Sequence, residues 1–412
     1  MRPHRPGPLR RRGPRPLPLH LNLAAMRAML AAWMPLPSAP GSPSWNAAWP
    51  ISNAGRAEAQ RIADALDALG AGAEAFRARV LAALLRADRR LIAGIAAYRR
   101  HPYAREMPEP PALWAEGGSR VLDYGGAGPA VLFVPSLVNR AYVLDLMPEA
   151  SLLRWLAANG AHPLLLDWGW PGEVERGFTL TDYVAGRLER ALMALPGPVV
   201  LVGYCMGGLL ALAAALRRPE RVRALGLLAT PWDFHAGEGA LPRARAAAAL
   251  LPGLEPLLAQ HGALPTDVVQ VLFAGLDPFG IARKFRAFAV LDQAGERARR
   301  FVALEDWLND GVPLAAPVAR ECLGGWYGRN DPAGLRWRVA GAVVDPSALA
   351  MPCFAAIPTA DRIVPPESAR ALAARIPGCA VHETAAGHIG MAAGTGAEAA
   401  LWRPLAGWLR GL

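Results

Sequence analysis

Between Arg120 and Glu383 the chain alternates short runs of leucine and β-branched residues with longer stretches whose apolar positions recur at helical spacing. The short runs at Arg120–Tyr124, Ala130–Pro135, Pro163–Trp168, Pro198–Tyr204, Ala224–Ala229, Cys353–Ile357 and Ala380–Glu383 read as strands. Helical patterns separate most of them, which predicts an α/β fold with a mostly parallel, doubly wound sheet. From Trp232 to roughly Gly341 the strand rhythm stops. Helix-like segments carrying Trp307, Trp326 and Trp337 replace it, as expected of a helical cap inserted into the sheet domain. Upstream, Glu58–Tyr98 is rich in Ala and Leu at helical spacing and predicts a pair of buttressing helices. The Pro-rich MPEPPALW (107–114) reads as a linker, and residues 1–50, rich in Pro and Arg and then Pro and Ser, as a poorly ordered arm. One short amphipathic helix is expected in that arm near Leu23–Met34. The chain thus divides into an arm at 1–50, a helical segment at 51–106 and a sheet domain at 107–412 whose cap is 232–341.

Composition narrows the partners. With 412 residues, 53% hydrophobic and 19% charged, the chain can bury a sizeable core, which excludes disorder throughout. A formal charge of +10 would ordinarily raise nucleic acid or anionic membrane as partners. The only lysine is Lys284, however, and abundant Arg, Ala, Gly and Pro together resemble a GC-rich coding bias. Local clustering occurs only in residues 1–16, which hold six arginines and no acid, so nucleic acid is not expected. Cys205, Cys322, Cys353 and Cys379 show no CxxC or Cys/His ligand spacing, so no disulfide framework and no metal is expected, and a reducing cytoplasm fits. No uninterrupted apolar run reaches the ~18 residues of a membrane-spanning helix. The segment LNLAAMRAMLAAWM (21–34) imitates a signal peptide, but Arg27 breaks it and no clean A-x-A site follows.

The strongest chemical signal is VVLVGYCMGGLLALAAAL (199–216), where a buried-strand run ends in Gly203-Tyr204-Cys205-Met206-Gly207 and turns directly into an Ala/Leu helix. That is the setting of a G-x-nucleophile-x-G elbow, whose sharp turn leaves no room for side chains two before and two after the nucleophile. A thiol at a helix N-terminus is also favoured as thiolate by the unpaired N–H groups and the helix dipole. The α/β-hydrolase fold supplies its triad in the order nucleophile, acid, histidine. Downstream, MPCFAAIPTAD ends at Asp361, and GHIG places His388 in a loop after the next short strand. Among eight histidines His388 alone combines a late position, flanking glycine and an acid one strand earlier; His382 lies within a strand and reads as structural. Asp233 is the alternative acid. An oxyanion hole would use the Met206 N–H and the backbone of Leu137 and Val138 in VPSLVNRAYVLDL (134–146), with Asn139 helping or fixing that loop.

With these residues assembled, the sequence resembles the polyhydroxyalkanoate synthase family, especially the short catalytic subunits that work with a separate partner subunit. The resemblance runs over roughly residues 100–412 through VNRAYVLDL (138–146), LLLDWGWP (164–171), LTDYV (180–184), GYCMGG (203–208), TPWDF (230–234), DRIVPPES (361–368) and AGHIGM (386–391). It implies an α/β-hydrolase fold in which Cys205 carries the acyl group, His388 is the base and Asp361 its partner. The implied substrate is 3-hydroxyacyl-coenzyme A, with no further cofactor, and the product a polyester. The implied setting is a cytoplasmic granule, with a second synthase subunit or a homodimer as partner. Two positions depart from the family pattern: Met206 follows the nucleophile where glutamine is typical, and Arg362 follows the acid where histidine is common. The alternatives are an esterase, thioesterase or depolymerase using the same site, and a non-catalytic granule-associated protein. Trp307, Trp326 and Trp337 are expected to line a dry entrance under the cap.

Overall fold

A computed structural model describes residues 11–33, 52–68 and 72–412. Most of the arm expected at 1–50 lies outside those residues. Within its described part, residues 11–33, Leu17–Trp33 form one helix that begins earlier than the Leu23 expected from periodicity. Two compact units are present, one comprising the chain up to Tyr103 with Phe273–Val302, the other Ala104–Leu272 with Ala303–Leu412. The stretch 232–341, expected as a single insertion, is therefore divided between them.

In the first unit the helices Leu17–Trp33, Ala73–Arg100 and Gly280–Phe288 share a core of Leu91, Ile95, Tyr98, Phe285, Phe288, Ala298 and Val302. Phe288 stacks on Phe301 with ring centroids 4.2 Å apart, and Tyr98 meets Phe285 edge-to-face at 5.7 Å. The Tyr98–Phe285 contact joins residues nearly two hundred positions apart, which explains why no local pattern announced the division of the cap.

The second unit is built on an eight-stranded sheet. Its strands are β1 (Ala112–Glu116), β2 (Ser119–Asp123), β3 (Ala130–Val134), β4 (His162–Asp167), β5 (Val199–Tyr204), β6 (Val222–Leu228), β7 (Cys353–Pro358) and β8 (Ala380–Thr384). Their spatial order is β1-β2-β4-β3-β5-β6-β7-β8. β1 and β2 pair antiparallel, as do β2 and β4, and every later pairing is parallel. This is the α/β-hydrolase topology. All seven strands read from the sequence are present. The missed one, β1, lies partly in the supposed linker: it is a mostly exposed edge strand with an irregular register at Ala112/Trp114, so it carries no buried alternation to betray it. By contrast β5, at the sheet centre, is buried at every position, as a strand covered on both faces must be. Among the described residues no helix is long and apolar enough to cross a membrane.

Gly94 gives the first unit a sharp test. A Cβ there would stand 2.0 Å from the Phe285 carbonyl oxygen, so the two helices meet backbone to side-chain-free backbone. Exchanging glycine for alanine in a helix normally stabilises by roughly 1 kcal/mol. Here Gly94→Ala is expected to destabilise by about 1–3 kcal/mol, the usual cost of overpacking. Urea unfolding of the full chain checks the sign, and a stabilised variant contradicts this packing.

Candidate active site

The site is set by one backbone reversal. β5 ends at Tyr204, the helix Met206–Arg217 starts two residues later, and Cys205 between them adopts φ 56° and ψ −130°. A side-chain-bearing residue in such a conformation costs of order 1–3 kcal/mol, so its surroundings must hold it there. Two hydrogen bonds contribute: the Cys205 N–H donates to the Leu228 carbonyl at the end of β6 (2.8 Å), and the Gly208 N–H to the Cys205 carbonyl (2.9 Å). Steric fit contributes more. A Cβ on Gly203 would lie 2.3 Å from Gly208 Cα, and one on Gly207 would lie 2.1 Å from the Val134 carbonyl oxygen at the end of β3. Only glycine at these positions lets the helix start so close to the sheet, which leaves the Cys205 side chain half-buried at the C-terminal ends of the strands.

His388 and Asp361 arrive from the two strands beyond β6. Asp361 follows β7, and its Oδ1 accepts the N–H groups of Ile363 (2.7 Å) and Val364 (2.9 Å), which fixes the carboxylate in a turn. Its Oδ2 lies 2.6 Å from His388 Nδ1, and both side chains are buried. His388 opens a short helix after β8, close enough to Cys205 for the two side chains to act on each other electrostatically. Burial by itself lowers the His388 pKa. Negative charge at Cys205, the Asp361 hydrogen bond and the contact with Cys205 outweigh it and raise the value to about 10. The arrangement thus favours the protonated imidazole, with the Cys205 sulfur on one side and the Asp361 carboxylate on the other.

Asp233, the alternative acid, is engaged elsewhere. Its Oδ1 accepts the His235 N–H (2.9 Å) and the Asn330 side-chain amide (2.8 Å), while Asn330 Oδ1 accepts the Phe234 N–H (3.0 Å). The TPWDF motif is therefore a clamp between the end of β6 and the cap segment. Met206 begins its helix, where first-turn N–H groups have no intrahelical acceptor. The Val138 N–H is directed to Ser136 Oγ (3.3 Å), which leaves Leu137 as the better second donor of the two expected. Val138 also ties this loop to the cap, accepting the Val312 N–H through its carbonyl (3.2 Å), and Asn139 bridges to Gly311. That bridge is made by the Asn139 backbone, while its side-chain carbonyl oxygen is buried without a hydrogen-bond partner.

The three cap tryptophans, expected to line a dry entrance, are buried packing groups. Trp307 donates to the Arg140 carbonyl (2.7 Å), and Trp326 lies edge-to-face on Trp337 at 5.3 Å and tilted against Phe234 at 5.7 Å. Two aromatic residues that sequence reasoning missed feel the charge at Cys205. Tyr204 donates to the His388 carbonyl (3.1 Å), with ring centroids 5.2 Å apart. Burial, followed by the charges at Cys205 and Asp361, pushes its phenol far up, so it stays a neutral donor. Tyr327, packed edge-to-face on Phe234 at 5.0 Å, is also pushed up by burial and then by the charge at Cys205. Tyr204 could have been found as the polar residue inside the elbow pentapeptide; nothing in the cap pattern singled out Tyr327.

Two outcomes follow. Alkylation of Cys205 by iodoacetamide at neutral pH, read on its own peptide, should slow roughly tenfold, or about 1.4 kcal/mol, in Asp361→Asn. Asp233→Asn should leave that rate nearly unchanged; the reverse ranking would move the acid to Asp233. The second outcome concerns pH. Because His388 titrates higher in the folded chain than its ordinary 6.5, its stabilising contribution is full below about 6.5 and is lost as pH rises through about 10. The Tm difference between the wild-type chain and His388→Gln should therefore be largest near pH 6 and disappear toward pH 10. A difference that grows with pH contradicts the ion pair.

Comparison with known proteins agrees with this architecture. Residues 129–271 match the model of the alpha/beta hydrolase fold family. The chain is 30% identical over 292 residues to the poly(3-hydroxyalkanoate) polymerase subunit PhaC of Synechocystis sp., covering 68% of this chain and 77% of that one. It is also 30% identical over 287 residues to PhaC of Haloferax mediterranei, covering 68% of this chain, and 28% identical over 250 residues to PhaC of Allochromatium vinosum, covering 59%. It spans 58% of the length of the Haloferax protein and 69% of the Allochromatium one. The elbow, the strand order and these relatives agree: the chain belongs to the poly(3-hydroxyalkanoate) polymerase family of the α/β-hydrolase superfamily.

Proposed function

We propose that the chain is an acyltransferase that moves 3-hydroxyacyl groups from coenzyme A, through a thioester on Cys205, onto a growing polyester. The observation that carries this reading is the sulfur itself: a cysteine, rather than a hydroxyl, stands on the strained elbow against a buried His388–Asp361 pair 2.6 Å apart. Exchanging one thioester for another is nearly balanced in free energy and keeps the acyl group activated for the next transfer. The relatives support the acceptor, since they are named as polymerase subunits.

In the first half-reaction the Cys205 sulfur attacks the thioester carbonyl, and the N–H groups of Met206 and Leu137 receive the developing oxyanion. The coenzyme A sulfur departs with the proton held by His388. In the second, neutral His388 removes the proton from the hydroxyl of a 3-hydroxyacyl unit as that oxygen attacks the acyl-Cys205 carbonyl. The ester forms, the Cys205–carbonyl bond breaks, and the thiolate–imidazolium pair is restored. Asp361 holds His388 in the required orientation and stabilises its charged form. We further propose that the chain acts at the surface of a polyester granule, with a second subunit or a second copy of itself.

Whether water or a hydroxyacyl group accepts the acyl group decides between polymerase and thioesterase, because water at ~55 M competes at any open thioester. Given 3-hydroxybutyryl-coenzyme A, the protein should release coenzyme A well in excess of free 3-hydroxybutyrate, with the difference recovered as oligoester. Cys205→Ala should release neither. One free acid per coenzyme A would reject polymerisation and favour the hydrolase.

A further inference from the structure

Two cysteines that the proposed reaction does not use face each other across β7 and β8. Cys353 opens β7 and is buried at 2% exposure, and Cys379 stands one residue before β8 and is partly exposed. The parallel register pairs Phe354 with Ala380 and Ala355 with Val381, so one step earlier Cys353 lies opposite Cys379. Side chains alternate along a strand, which puts both sulfurs on the face of Ala355 and Ile357. Cys379 does pack against the cluster of Ala355, Ile357, Val364, Ala369 and Ala373 on that face. Neighbouring strands run about 4.8 Å apart, inside the Cα separation of roughly 4.4–6.8 Å that a disulfide needs.

The pair is also asymmetric. The Cys379 thiol points toward the Ala380 carbonyl at 4.0 Å, and the two sulfurs act on each other, Cys353 being pushed up and Cys379 down. The more accessible sulfur is thus the more readily ionised, and the buried one is held as a thiol beside it. That division of labour is what an attacking and a resolving cysteine require.

We propose that Cys353 and Cys379 form a redox modification site, a cross-strand dithiol that closes to a disulfide on meeting a low-molecular-weight disulfide such as oxidised glutathione. The Cys379 thiolate attacks one sulfur of the oxidant; the S–S bond of the oxidant breaks, one glutathione leaves as thiol and a mixed disulfide remains on Cys379. Cys353 then loses its proton and attacks the Cys379 sulfur, expelling the second glutathione. Two protein thiols are oxidised and one external disulfide is reduced to two thiols. The link would join the starts of β7 and β8, whose far ends lead to Asp361 and His388, so it braces the two strands that deliver those groups while leaving Cys205 free.

Peptide mapping tests this. The folded full chain is incubated with oxidised glutathione, remaining thiols are blocked with N-ethylmaleimide, and trypsin cuts at Arg362, Arg370 and Arg375, which separate the two cysteines. In the wild-type chain the Cys353 and Cys379 peptides should be recovered joined, with Cys322 still maleimide-accessible only after unfolding. Cys353→Ser should instead retain a glutathione adduct on Cys379, and Cys379→Ser should leave Cys353 reduced. A wild-type chain in which both cysteines stay reduced, or in which the Cys379 adduct persists without cross-linking, overturns the proposal.

Discussion

The reversal of the chain at Cys205 constrains everything around it. A side chain at φ 56° is unfavourable in isolation, and the conformation holds because the helix Met206–Arg217 starts in contact with β3, β5 and β6 together. The Val134 carbonyl leaves no space beyond the hydrogen of Gly207, and the Leu228 carbonyl takes the Cys205 N–H. The strand order places β3 and β6 on either side of β5, so the elbow is supported from both neighbours. A sheet in sequential order would put β4 rather than β3 beside β5. The topology thus explains how a strained residue persists, and the strain explains why the sulfur projects from the sheet instead of lying against it.

Electrostatics then gives the candidate site its character. Asp361 uses one oxygen to hold itself in place through two backbone N–H groups and the other to meet His388. A buried imidazole would ordinarily be neutral, but carboxylate on one side and sulfur on the other reverse that tendency. The proposed thioester exchange draws on the same contacts that set the protonation state of His388.

Much of this was legible in the chain. Strands buried on both faces leave continuous apolar runs, and glycines at 203 and 207 mark the close approach directly. What stayed hidden was non-local or exposed. β1 is an edge strand without a buried face, and the helix Gly280–Phe288 packs with residues near position 90, a pairing that no window of sequence contains. Asp233 and Asp361 look equivalent as acids after strands; only the Asn330 clamp and the 2.6 Å contact with His388 separate them. The tryptophans were visible as large apolar groups, but their burial depends on partners such as Arg140 and Phe234.

The central claim is that Cys205 carries the acyl group during transfer. The most direct measurement is mass spectrometry of the intact protein and its peptides, quenched in acid within a single turnover with 3-hydroxybutyryl-coenzyme A. The account predicts an added 3-hydroxybutyryl mass on the peptide containing Cys205, labile to hydroxylamine as a thioester is, and absent from Cys205→Ala. Turnover with an acyl group on another residue, or with none on the protein at any time point, would contradict it.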